Sequence, residues 1–140
     1  MKDMPWGDPV VVAAGYPADM KRFLEANEGL TRRFGHTFDF PDFSVDDLAR
    51  MVVLKAEDAG FALGDGVDAG AVAALIAAHT DATWRSAHNG GVAERLTRGS
   101  MQAQDGRLDP TAMPLSEYKA LASTLELCDV RAAAEALLFS

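Results

Sequence analysis

Few side chains in this sequence are spaced as catalytic or metal-binding groups usually are. The three histidines, His36, His79 and His88, show none of the spacings that place two imidazoles on one metal ion. The single cysteine, Cys128, excludes an internal disulfide and a cysteine-rich zinc site. With no histidine partner near it in the sequence, Cys128 is predicted to be a buried, inert thiol. We therefore expect no metal site in this chain.

Two adjacent arginines, Arg32 and Arg33, form the most concentrated basic feature of the first half of the chain. They follow a predicted helix that begins after Pro17 and ends at residues 27–29, where Gly29 suits a left-handed cap. On spacing alone, these arginines are best explained as solvating the turn after that helix.

The overall charge excludes several classes of partner. The 140 residues include 13 Lys and Arg against 21 Asp and Glu, a formal net charge of −8. Such an acidic chain is poorly suited to the phosphates of nucleic acid or to an anionic membrane. No apolar run approaches the ~20 residues of a membrane span, and the start lacks the apolar core of a signal peptide. We expect a soluble, cytoplasmic protein that binds neither nucleic acid nor membrane.

The first 43 residues are predicted to form a strand, a helix and a second strand. Residues 10–14 are continuously apolar between Pro9 and Gly15, which is typical of a strand buried on both faces of a parallel sheet. Residues 36–40 alternate in polarity and are predicted to form the second strand, which Pro41 ends.

The rest of the chain has the apolar spacing of helices. Ser44 is followed three residues later by Asp47, a pattern typical of a helix start. Asp68, Asn89 and Asp129 are predicted to cap three later helices. Gly99 weakens the helix that contains it by about 1 kcal/mol relative to alanine.

The first half of the chain carries a connected set of motifs. They are residues 10–16 (VVVAAGY), Met20, Phe23, Leu24, residues 27–34 (NEGLTRRF), residues 38–40 (FDF), Phe43 and Ser44. This set resembles the CbxX/CfqX family of AAA+ ATPases, which includes red-type rubisco activases and the stage V sporulation protein K group. Glu28 stands where the family usually has proline, and Arg32 stands where it usually has serine.

A looser resemblance continues toward the end of the chain. The stretch from Asn89 to Gln104, Arg107 and Leu108 is similar to a family helix that ends in Gln-x-x-Arg-Leu. Residues 125–130 resemble the entry to the last helix of the family's lid. The resemblance therefore implies an α+β fragment that is mostly α. Residues 1–43 would be the C-terminal strands of a P-loop AAA+ α/β core, and residues 44–140 a helical AAA+ lid.

The resemblance also implies roles for individual residues. Arg33 would be an arginine finger that acts in trans on the ATP site of a neighbouring subunit, with Arg32 as the second candidate. Tyr16 stands at the sensor-1 position, at the tip of the strand that senses the γ-phosphate. Gly91 and Glu94 occupy the two lid-arginine positions of the family. Arg95 is one residue away, which turns its side chain by about 100° and makes it a weaker lid sensor.

Two departures limit what the chain could do alone. The sequence contains no Gly-x-x-x-x-Gly-Lys-Ser/Thr loop to cradle phosphates, and no strand that ends in Asp-Glu to bind magnesium. ATP, Mg and a homo-oligomeric ring are thus implied for the complete module, and no cofactor is expected for this chain by itself. The alternative is a free-standing helical module that binds a protein partner without catalysis. A P-loop encoded in frame just upstream would favour the first hypothesis.

Overall fold

The structure is a computed structural model that describes residues 10–26 and 28–137. The chain divides between Phe40 and Pro41 into two compact units. The first contains the arginine pair, and the second, called here the helical unit, contains most of the regular structure. No described helix is both long enough and apolar enough to cross a membrane.

The first unit contains two short helices and no strand among its described residues. Helix α1 spans Pro17–Glu25 and helix α2 spans Glu28–Arg33. Residues 10–14 and 36–40, both predicted to be strands, have no regular structure, so those two predictions are wrong for this chain. A strand needs neighbours that bond its N–H and C=O groups, and two isolated strands are marginal in water. Val10 and Phe40 are each 91% exposed.

The helical unit contains six helices and one pair of very short strands among its described residues. The strands β1 (Ala62–Leu63) and β2 (Thr124–Leu125) pair in parallel, with Ala62 opposite Thr124. The helices are α3 (Val45–Asp58), α4 (Ala69–His79), α5 (Ala82–His88), α6 (Gly91–Arg107), α7 (Leu115–Ala122) and α8 (Leu127–Ala136). The prediction of a mostly helical chain is therefore confirmed, whereas the assignment of residues 1–43 to a core remnant and 44–140 to a lid stays a prediction.

One hydrophobic core holds the helical unit together. It lies between α3, α4, α6 and α8, and its largest fully buried side chains are Leu48, Val72, Ile76, Val92, Leu96, Val130 and Leu137. Gly99 allows α6 and α8 to approach closely, because a Cβ at that position would lie 3.0 Å from the Cβ of Ala133. The glycine that weakens α6 as an isolated helix therefore permits its close approach to α8.

Side-chain caps define where three helices begin. The Ser44 hydroxyl accepts a hydrogen bond from the Asp47 N–H, and the Asp47 carboxylate accepts one from the Ser44 N–H. Asp68 caps α4 as predicted, and Asp81 caps α5. Asn89 does not cap α6 with its side chain, because that side chain bonds to the segment before α3 instead. Its prediction as a cap is therefore wrong.

Candidate functional site

The predicted finger residues lie at the end of a short helix. Arg32 and Arg33 occupy the last turn of α2, and both are exposed. The C-terminal end of a helix carries partial negative charge, which favours cations there. Neither guanidinium forms an ion pair with any residue that the structure describes, so both can reach a group outside this chain.

Tyr16 stands at the start of α1, immediately after the apolar segment. It is the N-cap residue, and its carbonyl accepts hydrogen bonds from the N–H groups of Asp19 and Met20 at 3.0 and 2.9 Å. The Tyr16 side chain is 81% exposed. Gly15 permits the turn before it, since a Cβ there would lie 3.1 Å from the sulfur of Met20. The phenol is therefore presented to the surroundings by a backbone that the helix start holds in place.

Arg95, the predicted lid sensor, belongs to the helical unit. It lies in α6 and is half-buried between the core residues Val92 and Leu96 along the helix. The predicted site residues are thus divided between the two units of the chain. Each unit alone holds only part of the predicted set.

A surface network of opposite charges links α3 to α6 within the helical unit. Lys55 Nζ lies 2.7 Å from one carboxylate oxygen of Glu94, and Arg98 lies 3.3 Å from the other. The hydrogen bond from Lys55, then that from Arg98, holds the pKa of Glu94 below its ordinary value. A carboxylate kept ionised in this way is a poor general acid. The network borders a shallow groove that is also lined by Asp58, Thr97 and Met101.

The most buried ion pair among the described residues connects the end of α6 to the start of α8. Arg107 donates from Nε and Nη2 to the two oxygens of Asp129, each at 2.9 Å, and the Asp129 side chain is 2% exposed. Asp129 also accepts a hydrogen bond from the Glu126 N–H at 2.9 Å. Glu126 is the N-cap of α8 and Asp129 is the N3 residue of the same capping box. Sequence reasoning expected Asp129 itself to be the cap, so it placed the helix start wrongly.

Burial and bonding act in opposite directions on that carboxyl group. Burial raises the pKa of Asp129, but the hydrogen bonds from Arg107 and from the Glu126 N–H, with the charge of Arg107, outweigh it and leave the pKa below its ordinary value. The same pairing raises the pKa of Arg107. Both groups stay charged near neutral pH, and their role in the structure is cohesive.

A third polar cluster joins the start of the helical unit to the turn between α5 and α6. Asp42 accepts hydrogen bonds from Ser86 Oγ at 2.6 Å and from Asn89 Nδ2 at 3.1 Å. The Phe43 N–H donates to Asn89 Oδ1 at 3.1 Å. Sequence reasoning missed this cluster, because residues 42 and 43 lie more than 40 positions before residues 86 and 89 and no common spacing relates them.

No cluster of three or more His, Cys, Asp or Glu side chains that could hold a metal occurs within residues 10–26 and 28–137. Cys128, predicted to be buried, is exposed. It lies in the first turn of α8, where the core-facing positions belong to Asp129 and Val130. Arg32, Arg33 and Tyr16 are exposed and can contact another molecule.

Comparison with known families gives one match over most of the helical unit. The family described as "Domain of unknown function (DUF8495)" matches residues 42–138. That segment begins two residues after the division between the two units and includes every helix from α3 to α8. The matched domain and the helical unit are thus nearly the same stretch of chain.

The curated relatives include proteins named CbxX and proteins named EccA. Protein CbxX (chromosomal) of Cupriavidus necator is 38% identical over 58 residues, which is 41% of this chain and 18% of that protein. The ESX-1 secretion system protein EccA1 of Mycobacterium leprae is 34% identical over 108 residues, 71% of this chain and 18% of that protein. The ESX-3 secretion system protein EccA3 of Mycolicibacterium smegmatis is 44% identical over 48 residues, 34% of this chain and 8% of that protein. The chain therefore spans less than a fifth of the length of these relatives.

These similarities confirm the resemblance at its coarser level. Relatives named CbxX support a relationship to the C-terminal region of AAA+ ATPases. Proteins named EccA match as well, so the CbxX/CfqX subtype stays a prediction. No solved structure matches this chain.

Proposed function

We propose that this chain, which belongs to the family described as a domain of unknown function (DUF8495), forms the C-terminal part of an AAA+ ATPase. The observation that carries the proposal is the similarity to EccA1 over 71% of this chain. A match of that extent cannot be confined to the first unit, so it includes part of the helical unit. The complete module would bind and hydrolyse ATP to remodel a protein substrate.

The exposed apolar residues of the first unit support the same proposal. No described residue before Pro41 is buried, although residues 10–14 are all apolar. Burying one large apolar side chain is worth about 1.5–3 kcal/mol, so leaving several in water forgoes much stabilisation. The missing strands of an AAA+ sheet would cover them. This would also restore the strand conformation that the sequence predicts.

Within this proposal, Arg33 is the arginine finger. Phosphoryl transfer spreads negative charge over the γ-phosphate oxygens, and a guanidinium supplied by a neighbouring subunit stabilises that charge. The exposure of Arg33, and its freedom from ion pairs with described residues, support this role. Arg32 is the second candidate, Tyr16 is the sensor-1 residue, and Arg95 is the weaker candidate for the lid sensor.

The residues present do not make up an ATP–magnesium site. The sequence lacks a phosphate-cradling loop, and the described residues offer no metal-binding cluster. ATP and Mg²⁺ would therefore be held by the remainder of the complete module. A homo-oligomeric ring would bring Arg33 to the site of the next subunit.

The alternative is a helical module that binds a protein partner without catalysis. It is favoured by one observation: the DUF8495 match covers the helical unit and omits residues 1–41. The helical unit also has a hydrophobic core of its own. In this alternative the first unit would have no role in phosphate chemistry.

The coding sequence immediately upstream distinguishes the two functions. An in-frame P-loop within ~150 residues, the span of one domain, supports the ATPase. A stop codon in frame before any P-loop, in a natural transcript, supports the interaction module.

Substitution of Arg33 in the complete ATPase tests the finger directly. We expect Arg33→Ala to lower kcat by about 10³-fold or more while nucleotide affinity changes little, because a finger acts on the transition state of the adjacent site. Arg22→Ala is the matched control, since Arg22 is an exposed arginine of α1 that pairs with Asp19. If Arg32→Ala abolishes turnover and Arg33→Ala does not, the assignment is wrong by one residue.

A further inference from the structure

The backbone of Asn89 has a conformation that few side chains tolerate. Its φ is 44° and its ψ is −127°, and it is the one described non-glycine residue with positive φ. This region of conformational space is normally occupied by glycine. The next residue, Gly90, is already a glycine. A single substitution of Asn89 by glycine would therefore give a turn with two glycines. The asparagine side chain must therefore offset the strain of its own backbone.

The Asn89 side chain does so by bonding to residues that precede α3. Its Oδ1 accepts from the Phe43 N–H at 3.1 Å, and its Nδ2 donates to Asp42 Oδ1 at 3.1 Å. The other oxygen of Asp42 accepts from Ser86 Oγ at 2.6 Å. Both polar ends of one amide are thus used by two consecutive residues of a segment without regular structure.

The Phe43 ring reinforces these bonds. A Cβ added to Gly90 would lie 3.5 Å from Phe43 Cε2 and 3.7 Å from Met51 Cε, so the ring lies over the glycine beside α3. Ser44 then begins the capping box of α3. Contacts consequently hold Asp42 and Phe43 to the α5–α6 turn, and the next residue, Ser44, belongs to the capping box of α3.

We propose that Asp42, Ser86 and Asn89 form a junction clamp that makes residues 42–43 a fixed part of the helical unit. The DUF8495 match begins at residue 42, the first residue of the clamp.

The clamp gives Asp42 and Asn89 positioning roles. They hold the backbone at Phe43, directly before the Ser44 capping box that begins α3. This inference rests on contacts within the helical unit, and it stands whether or not the ATPase proposal is correct.

Hydrogen exchange of single amides in the full chain, followed by NMR, tests the clamp. In the unmodified protein we expect the Phe43 amide to exchange more slowly than that of Phe40, which has no clamp bond. Asn89→Gly relieves the backbone strain but removes both bonds. We expect it to preserve or raise Tm while the Phe43 amide exchanges about 3- to 10-fold faster, as loss of one hydrogen bond predicts.

An exchange of charges separates the clamp from general effects of substitution. Asn89→Asp places a carboxylate against Asp42 and should speed exchange at Phe43. Adding Asp42→Asn lets an amide at position 42 donate to the carboxylate at position 89. The exchange rate of the Phe43 amide should then return to within about 3-fold of the original, a difference smaller than the effect of one hydrogen bond. Asp109→Asn is the control, because the Asp109 carboxylate accepts hydrogen bonds from Thr111 in the loop after α6, and this substitution should leave the Phe43 rate unchanged.

Three results would overturn the clamp. One is a Phe43 amide that exchanges as fast as the Phe40 amide in the unmodified protein. The other is an Asn89→Gly variant whose Phe43 rate is unchanged. Failure of the double variant to slow exchange relative to Asn89→Asp would likewise exclude the proposed pairing.

Discussion

Replacing Arg107 by methionine tests how the last helix is fastened to the helical unit. Arg107→Met keeps most of the aliphatic stem and removes the guanidinium, which leaves the Asp129 carboxylate, 2% exposed, without its charged partner. Breaking a buried ion pair in this way typically costs 3–5 kcal/mol. The Arg107 side chain is 29% exposed, and Asp129 keeps its bond from the Glu126 N–H. We therefore expect a loss of about 2–3 kcal/mol in the free energy of unfolding, below the buried range because of that partial exposure.

Urea unfolding followed by far-UV circular dichroism measures this loss. For a domain of about 100 residues, 2–3 kcal/mol lowers Tm by roughly 10–20 °C. Arg98→Met is the matched control, since Arg98 lies on the same helix and pairs with an exposed carboxylate. Exposed pairs contribute about 0–1 kcal/mol, so the control should lie close to the unmodified protein. Equal stability of the two variants would refute the reasoning.

The pH dependence of stability gives a second test of the same pair. The pKa of Asp129 is lower in the folded protein than its ordinary value of 3.8. The unfolded chain therefore binds the proton first as pH falls, and the contribution of the pair is complete above 3.8 and declines below it. In the Arg107→Met variant, the free energy of unfolding should therefore depend less on pH below 3.8. An unchanged slope would mean that the pair does not set the pKa.

Three further predictions concern nucleotide, the first unit and the core. The chain of 140 residues should show no ATP turnover and no Mg-ATP affinity near 1 μM, about −8 kcal/mol, and saturable binding at that level in calorimetry would contradict this. In hydrogen exchange, the amides of Val11 and Val12 should be fast and that of Leu96 slow, because the first two are exposed and the last lies in the core. Slow exchange at both valines, in a protein shown to be monomeric, would contradict the exposure of these two residues. Leu96→Ala should cost about 2–5 kcal/mol and Leu115→Ala, 68% exposed, less than about 0.5 kcal/mol, with similar losses in denaturant titrations counting against the core described above.

Local sequence signals predicted the helices well where a cap and an apolar stripe coincide. Ser44 with Asp47 marks the start of α3, and Asp68 with Val72 and Ile76 marks α4, as the structure shows. Helix α5 was missed, because its seven residues carry no apolar stripe. It depends on the Asp81 cap and on Trp84, which packs against the core from outside.

The strand predictions failed for a reason that lies outside the segment itself. Residues 10–14 have the composition of a buried strand, but a strand exists only where other strands bond to it. The described residues of the first unit supply none. The composition of residues 10–14 therefore indicates that the segment is suited to a buried sheet, whereas the structure shows the segment exposed.

The candidate site shows the same division between local and distant information. Arg33 was singled out by a contiguous motif, and its exposure at the end of α2 agrees with that choice without testing it. The bonds of Asn89 to Asp42 and Phe43 join residues 46 and 47 positions apart. A single sequence contains no periodic signal for such a pair, so the side chain was assigned to the nearest helix start.

The parallel pairing of β1 with β2 has a consequence for the order of folding. About 60 residues, including α4 to α7, lie between Leu63 and Thr124. Pairing of the two strands therefore closes a loop of that length. Closing a loop of that length costs about 4 kcal/mol in chain entropy, whereas two residues on each side return few hydrogen bonds. We therefore expect the strand pair to form after the helices have assembled, as a late closure that would have a φ-value near zero at Leu125.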